Sequence, residues 1–164
     1  MTAERFRQIA SNAGDNIRLD PKLLAIGPLW TNATITLDMK YADGRNINQK
    51  FAASLKTVRG KYVVATIHSD DDKQPANSIT TYDAKSGCYK FWGLYGDTTT
   101  QGSTVYNLDK KIYSTYSTYG DGYVEMGVGA YTDTNNWSHT VVLKDGVLFS
   151  TRDVTVVPAK PIAK

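Results

Sequence analysis

Glu125 and Arg152 are the charged residues best suited to handle a polar group in a dry setting, one as a carboxylate and one as a guanidinium. Around Glu125 the sequence alternates strictly. Tyr123, Glu125, Gly127, Gly129 and Tyr131 fall on one face, and Val124, Met126, Val128 and Ala130 on the other. If the Tyr123 face lined a cavity, Glu125 would be a partly buried carboxylate able to act as acid, base or ligand anchor. The Val124 face is the cleaner apolar one, so Glu125 is expected to point outward. Arg152 and Asp153 are neighbours on one strand and are expected on opposite faces.

The other reactive side chains carry weaker signals. His68 and His139 are far apart, and no His or Cys cluster has metal-ligand spacing, so no metal site is expected. Asp70, Asp71 and Asp72 lack the alternating spacing and distal glutamate of a calcium loop and read as a solvated hairpin tip. Cys88 is alone and follows a turn, as a buried inert thiol does. Nine of the eleven tyrosines, from Tyr82 to Tyr131, crowd the central strands together with Trp92. A phenol offers an apolar face and a polar handle, which suits an organic ligand. High β-propensity is the simpler reason for their number. No arrangement matches a catalytic pattern, and no cofactor is called for.

These residues need a frame, and the punctuation of the chain supplies one. Phe6, Ile9, Ala10 and Ala13 recur at helical spacing, which predicts a short helix over 2–13, stopped at Gly14. Pro21 opens a possible helical turn. From Leu29 onward turn signals come every 8–15 residues: Asp43-Gly44, Arg59-Gly60, 70–75, Lys85 to Gly87, Gly96 to Gly102, Asn107 to Lys110, Gly120 to Gly122, Thr132 to Asn136, and Asp145-Gly146. Between them Ala33, Ile35, Leu37, Met39 and Tyr41 alternate with polar residues, as do Phe51, Ala53 and Leu55. Trp137, His139, Val141 and Leu143 share a face as well. No helix-length pattern separates the strands, so parallel pairing has no crossovers available. The expected fold is all-β: an antiparallel up-and-down barrel of about ten strands with a short N-terminal helix, because closure buries one face and removes the edges. The expected organisation is a leader over 1–26, a barrel over 27–158 and a tail over 159–164.

Three segments and one residue support a resemblance. They are Ile26-Gly27-Pro28-Leu29-Trp30, Gly60-Lys61-Tyr62-Val63-Val64, the hairpin from Thr81 to Tyr89, and Arg152 near the C-terminus. Together they resemble the bacterial lipocalin-like proteins of the calycin group. Lipocalins usually carry Gly-x-Trp at the first strand and pack an arginine of the last strand on that tryptophan. Here the spacing from Gly27 to Trp30 is one residue longer. The resemblance implies a structural Trp30 that plugs one end of the barrel beneath Arg152. Some small barrels of this group hold haem on one histidine, and His139 would be the candidate. A hydrogen-bonded or solvent-facing strand histidine is the expectation.

Composition narrows the function classes. Charges are interspersed, with a net +3, and no basic patch suggests nucleic acid as a partner. No apolar run approaches a membrane-spanning length. The residues after Met1 lack the apolar stretch of a secretory signal, which leaves either a cytoplasmic protein or one whose signal has been removed. The leading expectation is a small hydrophobic or amphipathic molecule bound in the barrel lumen. Candidate contacts are Trp92, Tyr113, Tyr123, Glu125, His139 and Arg152. The alternatives are an isomerase- or lyase-type enzyme on the same barrel acting on a small organic acid, and a structural barrel with a filled lumen. Self-association as a homodimer is compatible with all three.

Overall fold

A computed structural model describes residues 1–14, 20–25, 32–58, 60–69, 76–95 and 98–158. Two helices, α1 (Ala3–Ser11) and α2 (Pro21–Leu24), precede ten strands. These are β1 (Ala33–Tyr41), β2 (Asn46–Val58), β3 (Tyr62–Ser69), β4 (Ala76–Asp83), β5 (Cys88–Tyr95), β6 (Thr98–Asn107), β7 (Ile112–Thr118), β8 (Tyr123–Tyr131), β9 (Asn136–Lys144) and β10 (Val147–Pro158). Each strand pairs antiparallel with its sequence neighbour, and β1 pairs with β10, so the sheet closes into an up-and-down barrel. No described helix is long and apolar enough to cross a membrane.

The turns follow from their residues. Asp145 and Gly146 both have positive φ, 50° and 81°, as a two-residue type I′ turn matched to the strand twist requires. Thr2 caps α1 by accepting from the Arg5 amide, and Asp20 caps α2 by accepting from the Lys22 amide, with Pro21 in the first turn.

Gly102 departs from the sequence reading. It lies inside β6, not in a turn. Its cross-strand partner is Phe91, and any Cβ at 102 would run into that ring and into the Tyr116 carbonyl. Gly129 has the same relation to Tyr113 across β7 and β8. In both pairs an aromatic ring lies over a glycine, covering backbone that the glycine would leave bare. Both residues are glycine because a ring needs the space.

Both ends of the barrel carry aromatic clusters. At the end holding the β4–β5 and β6–β7 turns, Tyr82, Tyr89, Tyr106 and Tyr113 contact one another in succession on β4 to β7, with centroids 5.0–5.1 Å apart. Tyr131 of β8 joins at Tyr106, 5.9 Å away. Leu23 of α2 is fully buried against Val63 and Tyr89, and the Tyr89 hydroxyl donates to the Lys22 carbonyl at 2.7 Å. This short helix is the stopper of that end. At the opposite end a bulge between Leu148 and Ser150 inserts Phe149, whose ring meets Tyr41 and Tyr123 edge-on.

Helix α1 packs on the outside. Phe6 is buried against Val64, Ile79 and Leu94, with Tyr62 and Trp92 beside it. Val64, Ile79 and Trp92 are register neighbours on one face of the sheet. Lys56 and Gln101, exposed on that same row, identify it as the outer face.

Ser150 is completely buried, and its hydroxyl has no hydrogen-bond partner among the described residues. An unmet buried hydroxyl is a cost that alanine removes. Ser150→Ala is therefore expected to leave stability unchanged or raise it by up to about 1 kcal/mol. Urea denaturation measures this, and a loss of more than about 1 kcal/mol would contradict it.

Candidate functional site

The inner face of the barrel is built from two kinds of strand. β1, β2, β3 and β10 turn Ile35, Leu37, Met39, Phe51, Ile67 and Val154 inward, a mostly apolar set with the Gln49 amide of β2 among it. β6, β7 and β9 turn Thr98, Thr100, Thr115, Ser138 and Thr140 inward. Short hydroxyl side chains leave room where long ones would fill the lumen. The result is an interior cavity of about 830 Å³ with one apolar wall and one hydroxyl-bearing wall. That size lies within the usual range for small-molecule sites, roughly 300–1,000 Å³. Outside the barrel, depressions of about 970 and 890 Å³ lie over β3–β7 and β6–β9. Of these three, the interior cavity is the one that brings Glu125 and Arg152 together.

Within the cavity, Arg152 Nη1 donates to Glu125 Oε2 at 2.9 Å and to the Tyr119 hydroxyl at 3.3 Å. The Tyr119 hydroxyl donates in turn to the same Glu125 oxygen. The Arg152 guanidinium lies 5.9 Å from the Tyr119 ring centroid. The Glu125 side chain is 15% exposed and that of Arg152 24%. Three residues from β8, β10 and the residue just past β7 thus form one compact polar cluster. Burial, and next the negative charge of Glu125, push the Tyr119 phenol well above its ordinary range, with Arg152 pulling partly back. Tyr119 is therefore a protonated donor at neutral pH.

The structure corrects the expected faces. Glu125 points inward with Tyr123 and Tyr131, whereas Met126 and Val128 are exposed. The Trp137–Leu143 face of β9 is also the outer one. Trp137 is exposed, and the alternate residues Thr140 and Val142 are buried inside. His139 thus lies outside the lumen, where its Nδ1 meets the Asp153 carboxylate at 2.8 Å. Trp92 is outside as well, beneath α1. Tyr113 and Tyr123 face inward but belong to the end clusters. The Tyr113 hydroxyl donates to Asn136 Oδ1 at 2.7 Å. Of the six candidates, only Glu125 and Arg152 line the cavity. Asp153 takes the face opposite Arg152, as expected, and Cys88 is buried. Trp30 and the 70–72 aspartates lie outside the described residues. The principal residue that sequence reasoning missed is Tyr119, which immediately precedes a turn glycine. Its alternation with Tyr113, Thr115 and Ser117 was the available signal.

No family model matches the sequence, and no curated protein matches it significantly. The structure is similar to the crystal structure of Rv2717c from M. tuberculosis. The TM-score is 0.64, over 87% of this chain and 99% of that chain, at 12% identity. The likeness is one of fold.

Proposed function

We propose that the protein binds a small, uncharged amphipathic molecule in the barrel lumen. The observation that carries this reading is the cavity of about 830 Å³ that has one apolar and one polar wall. Its lining includes one carboxylate and one guanidinium, already paired with each other. A ligand carboxylate would place a second negative charge beside Glu125 with no second cation among the described lining residues, and a ligand ammonium would face Arg152. Unpaired charge in a partly desolvated space is costly. An alcohol, phenol or amide avoids that cost. Glu125 Oε1 has no partner among the described residues and is the natural acceptor for its proton. The lipocalin-like segments of the sequence support the same reading. The cluster favours binding over catalysis, because a phenol held protonated and a carboxylate held by two donors position a ligand more readily than they exchange protons with it.

Calorimetric titration with 1-decanol, decanoate and decylammonium tests this, read together with amide shifts of Thr115, Ser138 and Thr140. Decanol is expected to bind saturably at those residues, and the two ions at least about tenfold more weakly. Equal or tighter binding of either ion overturns the uncharged class. Absence of saturable shifts with all three overturns the lumen site.

A further inference from the structure

The outer face of β6–β9 differs from the rest of the barrel surface. Its outward positions are Thr99 to Asn107, Ile112 to Thr118, Val124 to Ala130 and Trp137 to Leu143, taken alternately. None is Asp, Glu, Lys or Arg. The corresponding face of β1 and β2 carries Asp38, Lys40, Lys50 and Lys56. On the uncharged face Val105, Ile112, Tyr116, Met126, Val128 and Trp137 are each between 44% and 57% exposed. A large side chain presents roughly 150–250 Å², so these six expose on the order of 600 Å² of apolar surface. That is at the upper limit for the largest patch on a typical monomer.

We propose that this face is the interface of a homodimer. A standard interface buries about 800 Å² per partner, somewhat over half of it apolar, which is the amount this face offers. Depletion of charge at the centre is the compositional mark of such surfaces. The rim carries both signs. Asp109, Lys110 and Lys111 lie in the β6–β7 turn, and Asp133 in the β8–β9 turn at the same end is paired with Lys111 at 3.0 Å. Two-fold symmetry sets each rim residue against a different residue of the same patch, so a mixed-sign rim complements itself. An anionic membrane would instead meet Asp109, Asp133 and Asp153. Because the barrel is closed, none of the described strands offers a free edge for β-addition, and the contact is made by side chains. The groove between Val105, Ile112, Val128 and Trp137 gives a second copy's side chains a place to seat.

Sedimentation velocity of the full chain over about 1–100 μM reads the oligomer directly against the 18.1 kDa monomer. A reversible dimer is expected. Val128→Lys and Met126→Lys, both at exposed positions, are expected to weaken it at least about a hundredfold, with circular dichroism unchanged. Thr36→Lys, on the β1 outer face, should leave it intact. A wild-type chain that stays monomeric across the range overturns the proposal. So does a dimer indifferent to both lysines. Flotation with phosphatidylglycerol vesicles that is lost in Val128→Lys, without any dimer, reassigns the face to lipid.

Discussion

Raising the pH above 10 is expected to unfold this protein in one cooperative step, with several phenols ionising together. Tyr89, Tyr106, Tyr113, Tyr119 and Tyr131 all have pKa values above the ordinary 10.0, with burial as the leading cause. In the folded state these phenols keep their protons. In the unfolded chain they lose them as pH rises through 10. Above that point the folded state holds more protons than the unfolded one, so stability falls with pH. Below pH 10 both states are protonated and the contribution is fully present. Each phenol adds a slope of up to about 1.4 kcal/mol per pH unit. Tyr106 and Tyr119, the most strongly shifted, together give roughly 2–3 kcal/mol per unit, and Tyr89, Tyr113 and Tyr131 add to this only just above pH 10. A domain of this size is stable by about 5–15 kcal/mol, so one near the lower end of that range is expected to unfold about two units above pH 10. Phenolate absorbance and far-ultraviolet circular dichroism should change together. Gradual ionisation of all eleven tyrosines near pH 10, with the fold retained, would contradict the enclosed belt.

Arg152→Met is expected to cost about 3 kcal/mol in urea denaturation at pH 7. The thioether fills much of the stem's volume, so the loss is electrostatic. Glu125 would keep Tyr119 as donor but lose its counter-charge while only 15% exposed. Leaving one member of a buried pair alone costs about 3–5 kcal/mol, and the residual exposure of both residues places this case at the lower end. Glu125→Gln alone is expected to cost about 2 kcal/mol, because Arg152 keeps an amide acceptor but loses its counter-charge. The double variant Glu125→Gln/Arg152→Met should cost less than the sum of the singles by at least about 1 kcal/mol, because the orphaned carboxylate is gone. Strict additivity, or a cost below about 1 kcal/mol for Arg152→Met, would mean that the pair is solvated and that the lumen is wetter than its lining implies.

The sequence disclosed the frame more fully than the site. Asp145-Gly146 dictates a tight hairpin from residue type alone, and the alternation from Ala33 to Tyr41 points its apolar residues inward as written. The failure at β8 has a specific cause. Reading Val124, Met126 and Val128 as core assumes that the drier face is the inner one. In this barrel the inner face of β8 carries Gly127 and Gly129, with Tyr113 covering Gly129, while the apolar face is left outside. The same assumption put His139 among the lumen candidates, whereas it is the hydrogen-bonded strand histidine that was expected. Trp92 could not be located without knowing that α1 covers β3–β5 from outside. Arg152 and Glu125 lie 27 residues apart, and only closure of the register through β9 puts them on adjacent rows.

The pairing of β1 with β10 sets the order of events during synthesis. The first barrel strand to be synthesised pairs with the last one. Until Val147–Pro158 emerges, β1 presents an open hydrogen-bonding edge, and the growing sheet has nothing to wrap around. Closing it brings together the first and last strands of the barrel, so loop-closure entropy is met late, and folding is expected to be slow. The nascent sheet is therefore most exposed to pairing with other chains just before it is complete. Asp38 and Lys40 sit on the waiting strand, where charge discourages such pairing until the ring closes.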